Sequence, residues 1–388
     1  MLPMLTVACI PEPVAPMPPS PPAEEAPAPL DVACPAGAVN VRTSEGFDDL
    51  QEALDAASAH DAVAVCGGWH AGPFVAPVPV TIGGVGATVL AGDGTGPVLT
   101  VPGGAIALDL ELTEGRGAHG GGLAIGAGDE VVVARTRLYG NVAERGGGLH
   151  LDPGAAAWLV DCEIAGNRAV RGGGAALEQA TLRATRTSFV ANTAEDGGGI
   201  ACRDAALELG DAALVSNVAT HGGAVYADRC TVAGGRADGN AADRYGGGLV
   251  LLSSDAADVT VRANEALYGG GVYALASSIA RATVAANVAP HGDGIYAVAG
   301  LVLTDTLVVD HAGVGLAVGI GRADVVGGAV VRNDIGAESS GGLGQILASD
   351  RADWGARGDE NGIDVAWGTE DWRFGRGASF TCEQDCEP

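Results

Sequence analysis

Apolar and polar positions along this chain alternate in short runs that restart at a fixed interval. Leu149-His150-Leu151, Val225-Tyr226-Ala227, Leu249-Val250-Leu251, Val272-Tyr273-Ala274 and Ile295-Tyr296-Ala297 each follow a glycine cluster. The period is two, that of a strand with one face inward. A second apolar run precedes each restart and ends in an asparagine, as in "TLRATRTSFVAN" over 181–192. Each interval therefore predicts short strands separated by tight turns.

Aligned on the glycines, the chain gives "GAHGGGLAI", "AERGGGLHL", "AVRGGGAAL", "AEDGGGIAC", "ATHGGAVYA", "DRYGGGLVL", "ALYGGGVYA" and "APHGDGIYA". The third positions of these clusters are 122, 148, 174, 199, 224, 248, 271 and 294, a period of 23 to 26. Seven residues earlier stand Asn141, Asn167, Asn192, Asn217, Asn264 and Asn287, with Asn240 one residue further away. Three residues before each Asn is an apolar residue, from Leu138 to Val284. A weaker continuation puts Asp310 and Asn333 in the same place. One supersecondary unit per repeat, stacked on its neighbours, is the architecture such a period specifies. Leucine-rich repeats need several spaced leucines around their Asn, and helical repeats need longer units with fewer glycines. The expected structural role of the Asn column is to satisfy turn carbonyls and hydrogen-bond from coil to coil. The glycines allow positive φ and close approach of neighbouring coils.

Apolar-x-x-Asn followed by Gly-Gly-Gly/Ala-Leu/Ile/Val resembles the paired motifs of polymorphic outer membrane protein repeats, which form right-handed parallel β-helices. Residues 44–98, with "FDDLQEALDAASAHDAVAVCGGWHAGPF", are similar to the N-terminal end of pectate-lyase-like β-helix proteins. That likeness implies an amphipathic capping helix near 46–59, a first strand and a Gly-aromatic turn. The resemblance covers 44 to about 335. The expected fold is all-β: a single-stranded right-handed parallel β-helix, or solenoid, of about 11 to 13 coils with a short N-terminal capping helix. The expected organisation is a signal or lipobox-like remnant at 1–9, a Pro/Ala-rich linker at 10–30, a cap at 31–60, the β-helix at 61–350 and a C-terminal cap and tail at 351–388.

Composition narrows the picture. Of 388 residues 63 are glycine, yet 47% are hydrophobic and 4% aromatic, so small aliphatic side chains must fill a narrow interior. The formal charge of −27, with every basic residue an arginine, repels nucleic acid and anionic membrane surfaces. Solubility of a long exposed surface accounts for most of this acidity; weak calcium binding is the one cation role it suggests, and no cofactor is implied. No run of 18 apolar residues spans a membrane. "TVAC" at 6–9 looks like the end of a bacterial lipoprotein signal, with Cys9 as the lipidated residue, although Thr6 stands where an aliphatic residue is usual. Membrane attachment is expected through that anchor alone, and the chain is expected to be exported, at the outer membrane or cell surface or extracellular, and monomeric.

Eight cysteines fit an oxidising compartment. Cys34 and Cys66 flank the first folded segment and Cys382 and Cys386 close a tail loop, so both pairs are expected as disulfides. Cys162, Cys202 and Cys230 lie within repeats and are expected as small core residues. No CxxC pair suggests zinc, and no metal site is expected.

Catalytic constellations are missing. The single Asp-Asp, Asp48-Asp49, falls in the capping helix, and His119 stands in "AHGG", not the Gly-His-Gly of pectin-hydrolysing relatives. "APHGDG" around His291 and Asp293 lacks the first acid of the epimerase motif. No coil groups acids as a calcium-dependent lyase would, no G-x-S-x-G occurs, and no Gly-Lys-Ser/Thr follows the glycines. Two surface columns remain. Outward positions hold His150, Tyr226, Tyr273 and Tyr296, and Tyr268, Tyr273 and Tyr296 are expected on adjacent coils, where rings could stack on sugars or simply stabilise the sheet. The positions before the glycines hold His119, Arg145, Arg171, Asp196 and His221, expected to form solvated ion pairs. His119 and His221 are too far apart to share a metal. The expected function is a surface spacer or adhesin-like module binding a glycan or cell-surface polymer, ligand residues Tyr226, Tyr268, Tyr273 and Tyr296, with no catalytic residue. The alternative is a polysaccharide lyase or epimerase of the pectate-lyase-like class.

Overall fold

The computed structural model describes residues 25–34, 37–339, 344–348 and 363–366. Cys9, Cys382 and Cys386 lie outside the described residues. The chain is an all-β parallel solenoid of about 11 turns with one short helix near its N-terminal end. Three short strands of an early turn join the main parallel sheets and a fourth joins a shorter sheet ahead of the glycines. In one turn these are Leu149–Leu151, Ala156–Val160 and Glu163–Ala165, then Arg168–Arg171. Leu149 lies opposite Leu123 and Ala175, Ala157 opposite Val131 and Leu182, and Ile164 opposite Leu138 and Phe189. Registration in steps of one repeat stacks like on like, so Leu149, Leu159, Ile164, Leu182 and Phe189 are fully buried in one continuous core. No helix among the described residues is long and apolar enough to cross a membrane.

The helix covers Leu50–Ala56, shorter than the expected 46–59, because residues 45–47 pair as a strand with 38–40 instead. Asp49 caps it by accepting from the backbone of Gln51 and Glu52 at 2.7 and 3.2 Å, and Leu50, Ala53 and Leu54 are buried. Gln51 also exchanges two hydrogen bonds with the backbone of Val75, at 2.8 and 2.9 Å, which blocks an open strand end from pairing outward. The segment expected as a Gly-aromatic turn is a kink inside the strand Ala62–Gly72, where the register shifts between Cys66 and Gly68. Residues at the end of the expected linker run along the outside of the solenoid. Ala26 and Leu30 pack on Leu108, Ala134 and Val160, and Arg135 donates to the Pro27 carbonyl at 2.7 Å. At the other end the strand Ile363–Ala366 pairs with Ile335–Ser339, so solenoid pairing extends past residue 350.

The Asn column is internal. Asn192 Nδ2 donates to the Ile164 carbonyl at 2.8 Å and to Asn217 Oδ1 at 3.0 Å, and its own Oδ1 accepts from the backbone and side chain of Asn167. The same bonds join Asn141, Asn167, Asn217, Asn240, Asn264 and Asn287, all buried. Asn240 keeps its place although one residue is inserted, because the register shift between Ala219 and His221 absorbs it. Beyond Asn287 the ladder continues through His311, not the expected Asp310: His311 bonds Asn287 at 3.3 Å and Asn333 at 2.7 Å. Asp310 instead turns the corner with φ 60° and pairs with Arg332. Gly146, at φ 65°, shows why the following turn needs glycine: a Cβ there would sit 2.0 Å from the Leu149 carbonyl oxygen.

Two disulfides tie the described chain, and disulfides are features of exported proteins. Cys34–Cys66 closes the first coil, with Cα atoms 5.3 Å apart. Cys202 and Cys230 are buried in the core, as expected of small core residues, and are joined there as a second disulfide with Cα atoms 6.4 Å apart. Cys202 lies in the strand Ile200–Arg203, opposite Ala227 of the next coil, and Cys230 follows that coil's corner residue Arg229. Cys162 is a buried free thiol, pushed up to about 12 by burial.

Candidate surface site on the glycine-side face

One face of the solenoid gathers both surface columns. The outward positions of the strand that follows the glycines run Ala124, His150, Ala176, Ala201, Tyr226, Val250, Tyr273, Tyr296 and Ala317, in register from coil to coil. The residues before the glycines run beside them, Arg145 opposite His119 and Arg171, and Asp196 opposite Arg171 and His221, then Tyr245, Tyr268 and His291. The two columns meet on a diagonal. His119 touches His150 of the following coil with ring centroids 4.8 Å apart, Tyr245 touches Tyr273 at 4.7 Å, and Tyr268 touches Tyr296 at 5.2 Å. This offset lies between repeats, so alignment of the repeats column by column conceals it.

In the later coils the face is aromatic. Tyr273 and Tyr296 are near-parallel at 5.9 Å, His221 lies along Tyr245 at 5.3 Å, and Tyr268 along His291 at 4.7 Å. Four of the chain's six tyrosines thus form one contiguous patch with two histidines. Half-buried Leu252, Leu275 and Val298 extend it on the far side of the strand. Tyr268 and Tyr273 belong to one coil, not to adjacent ones, because Tyr268 leads into the turn that Tyr273 leaves; Tyr296 is on the next. Tyr226 stands apart, separated from Tyr273 by Val250. Burial, then the neighbouring Tyr245 and Tyr296, holds the Tyr273 phenol above its ordinary value.

The earlier coils carry charge on the same face. Arg145 pairs with Glu178 at 3.1 Å and Arg203 with Asp228 at 3.2 Å, while His221 meets Asp196 at 2.9 Å, as expected for that column. Ala176 and Ala201 floor a notch of about 40 Å³ with His150 at one end and Tyr226 at the other. That volume admits a few waters and is far below the several hundred Å³ of small-molecule sites. His150, expected to face outward, is buried beneath His119. Burial and then the His119 charge push its imidazole down to about 4, so it is neutral at pH 7.

A wider open groove of about 580 Å³ crosses the corners at Asp109, Arg135, Asp161 and Arg186. These residues occupy left-handed corners, with φ between 47° and 57°. Both nitrogen–oxygen contacts of Arg135 to Asp109 are 2.7–2.8 Å, and those of Arg186 to Asp161 are 2.6–2.8 Å. Its lining holds neither His nor Tyr, and these four charges pair with one another. The opposite signs one repeat apart were legible in the sequence and were overlooked.

No protein-family model matches the chain, and no curated protein matches it. Among solved structures it resembles the crystal structure of an alginate lyase from Paenibacillus sp. str. FPU-7, at 15% identity and a TM-score of 0.25, over 78% of this chain and 96% of that one. So weak a superposition carries no argument.

Proposed function

We propose that the protein is an exported β-helix binding module that holds a neutral glycan along the aromatic coils, attached to the cell surface when Cys9 is lipidated. The observation that carries this reading is the convergence of Tyr245, Tyr268, Tyr273 and Tyr296 on one patch of a chain that is 4% aromatic. Aromatic rings repeated at the spacing of stacked strands, about 4.8 Å, offer a polymer a continuous apolar track. The charge of −27 favours a neutral polymer over an anionic one. The lyase or epimerase alternative would have to work where ionisable groups gather; the notch is too small for a sugar ring, and in the open groove of about 580 Å³ Asp109, Arg135, Asp161 and Arg186 are engaged with one another.

A panel of immobilised neutral and uronate glycans tests this. The parent is retained on a neutral polymer, and Tyr273→Ala with Tyr296→Ala lowers retention at least tenfold while the melting temperature moves by only a few degrees. Uronate polymers yield no unsaturated product. Retention of the double variant equal to the parent, or turnover of a uronate polymer, overturns the reading.

A further inference from the structure

Outside the aromatic coils, three metal-ligating side chains converge at the start of the charged coils. His119, His150 and Asp152 each offer a ligand atom, and these atoms lie within 4.8 Å of one another. His150 Nε2 is 3.4 Å from Asp152 Oδ1, close to the separation of about 3.4 Å between ligands of a tetrahedral ion. His119 is exposed and half of the Asp152 side chain is, so both can close by small rotations. Asp152 itself is fixed at its backbone. It opens the turn Asp152-Pro153-Gly154-Ala155, in which the Ala155 N–H donates to the Asp152 carbonyl at 2.9 Å and Gly154 has φ 82°.

Of the two ring nitrogens of His150, Nε2 faces Asp152 and is the one an ion on this cluster would take, while Nδ1 is buried with no hydrogen-bond partner. The ring stands where neighbouring coils carry Ala124 and Ala176, and it is held against the His119 ring at 4.8 Å. Arg145, in register beside His119, directs its guanidinium to Glu178 at 3.1 Å, so its charge is offset by a carboxylate.

We infer that His119, His150 and Asp152 bind a divalent transition-metal ion of the zinc, nickel and copper class, with a coordination position left open to solvent. Two imidazoles and one carboxylate suit those ions, whereas calcium and magnesium take oxygen ligands. This inference does not depend on glycan binding. It departs from the sequence expectation of no metal, which compared His119 with His221 in its own column and missed the diagonal partner His150.

Equilibrium dialysis of the tag-free, oxidised full chain against Zn²⁺ tests it, with Co²⁺ absorption as a second readout. One ion binds per chain and excess Ca²⁺ leaves it in place. His119→Ala and Asp152→Asn, both at accessible positions, each weaken Zn²⁺ binding at least tenfold, and His221→Ala leaves it unchanged. Absence of stoichiometric binding by the parent, or equal binding by His119→Ala and Asp152→Asn, overturns the inference. Failure here with glycan retention intact would leave the aromatic patch untouched.

Discussion

The early and late coils of the glycine-side face share one backbone and differ in what they place on it. At the positions before the glycines, Arg145, Arg171 and Asp196 give way to Tyr245 and Tyr268. At the outward strand positions, small Ala176 and Ala201 give way to Tyr273 and Tyr296. Glu178, Arg203 and Asp228 at the strand ends are succeeded by Leu252, Leu275 and Val298. Beneath both regions the Asn ladder and the aliphatic core are the same. Scaffold and surface chemistry are therefore separable: inward positions set the fold and stay monotonous, while outward ones vary without cost to the stacking. Charged side chains pair with one another across coils, leaving a small notch, whereas the rings accumulate into a patch.

If the scaffold is common, damaging it should cost the same under either region. Asn192→Ala beneath the charged coils and Asn264→Ala beneath the aromatic ones should each destabilise by about 3 kcal/mol, since each strands a buried carbonyl and the amide groups of neighbouring asparagines. Chemical denaturation of the two variants checks this. An unchanged midpoint in either would mean that water replaces the ladder there.

Acid offers a second test, again on a buried group. Burial pushes His311 down to about 4 from 6.5, so between those values the unfolded chain takes up a proton that the folded chain does not. Stability should thus fall as pH drops from about 6.5 to about 4, by up to about 3 kcal/mol for this group. His311→Asn, which restores the ladder's usual residue, should remove that part of the loss, measured as the melting temperature against pH. A profile identical to the parent's would show that His311 is solvated.

The smallest effect belongs to the exposed corners. Removing the Arg186 partner with Asp161→Asn should cost about 0.5 kcal/mol or less at physiological salt, because both side chains are solvated. A loss above about 2 kcal/mol would mean that the corner pairs hold the coils in register.

The fold was legible because its determinants are periodic and inward. The Asn and Gly columns announce themselves in the sequence, and hydrogen bonds between like residues one coil apart preserve the spacing, as Asn167 to Asn192 shows. Where an unlike residue did the same work, the reading slipped: Asp310 looked like the better match, but His311 is the residue whose side chain enters the ladder. Cys202 and Cys230 were read singly because their pairing joins a strand to the corner of the next coil, a relation that spacing alone does not reveal. The face was half legible. Column membership of Tyr273 and Tyr296 could be read from register, but the contacts His119–His150 and Tyr245–Tyr273 run diagonally, set by how the glycine turn returns the chain over its neighbour.

Hydroxyl-radical footprinting of tyrosine, with and without the retained neutral oligosaccharide, tests the contrast between the two regions most directly. Tyr245, Tyr268, Tyr273 and Tyr296 should lose reactivity together on binding, while Tyr139 and Tyr226 keep theirs. Protection of Tyr226 with the other four unchanged would put the ligand on the charged coils and contradict the account.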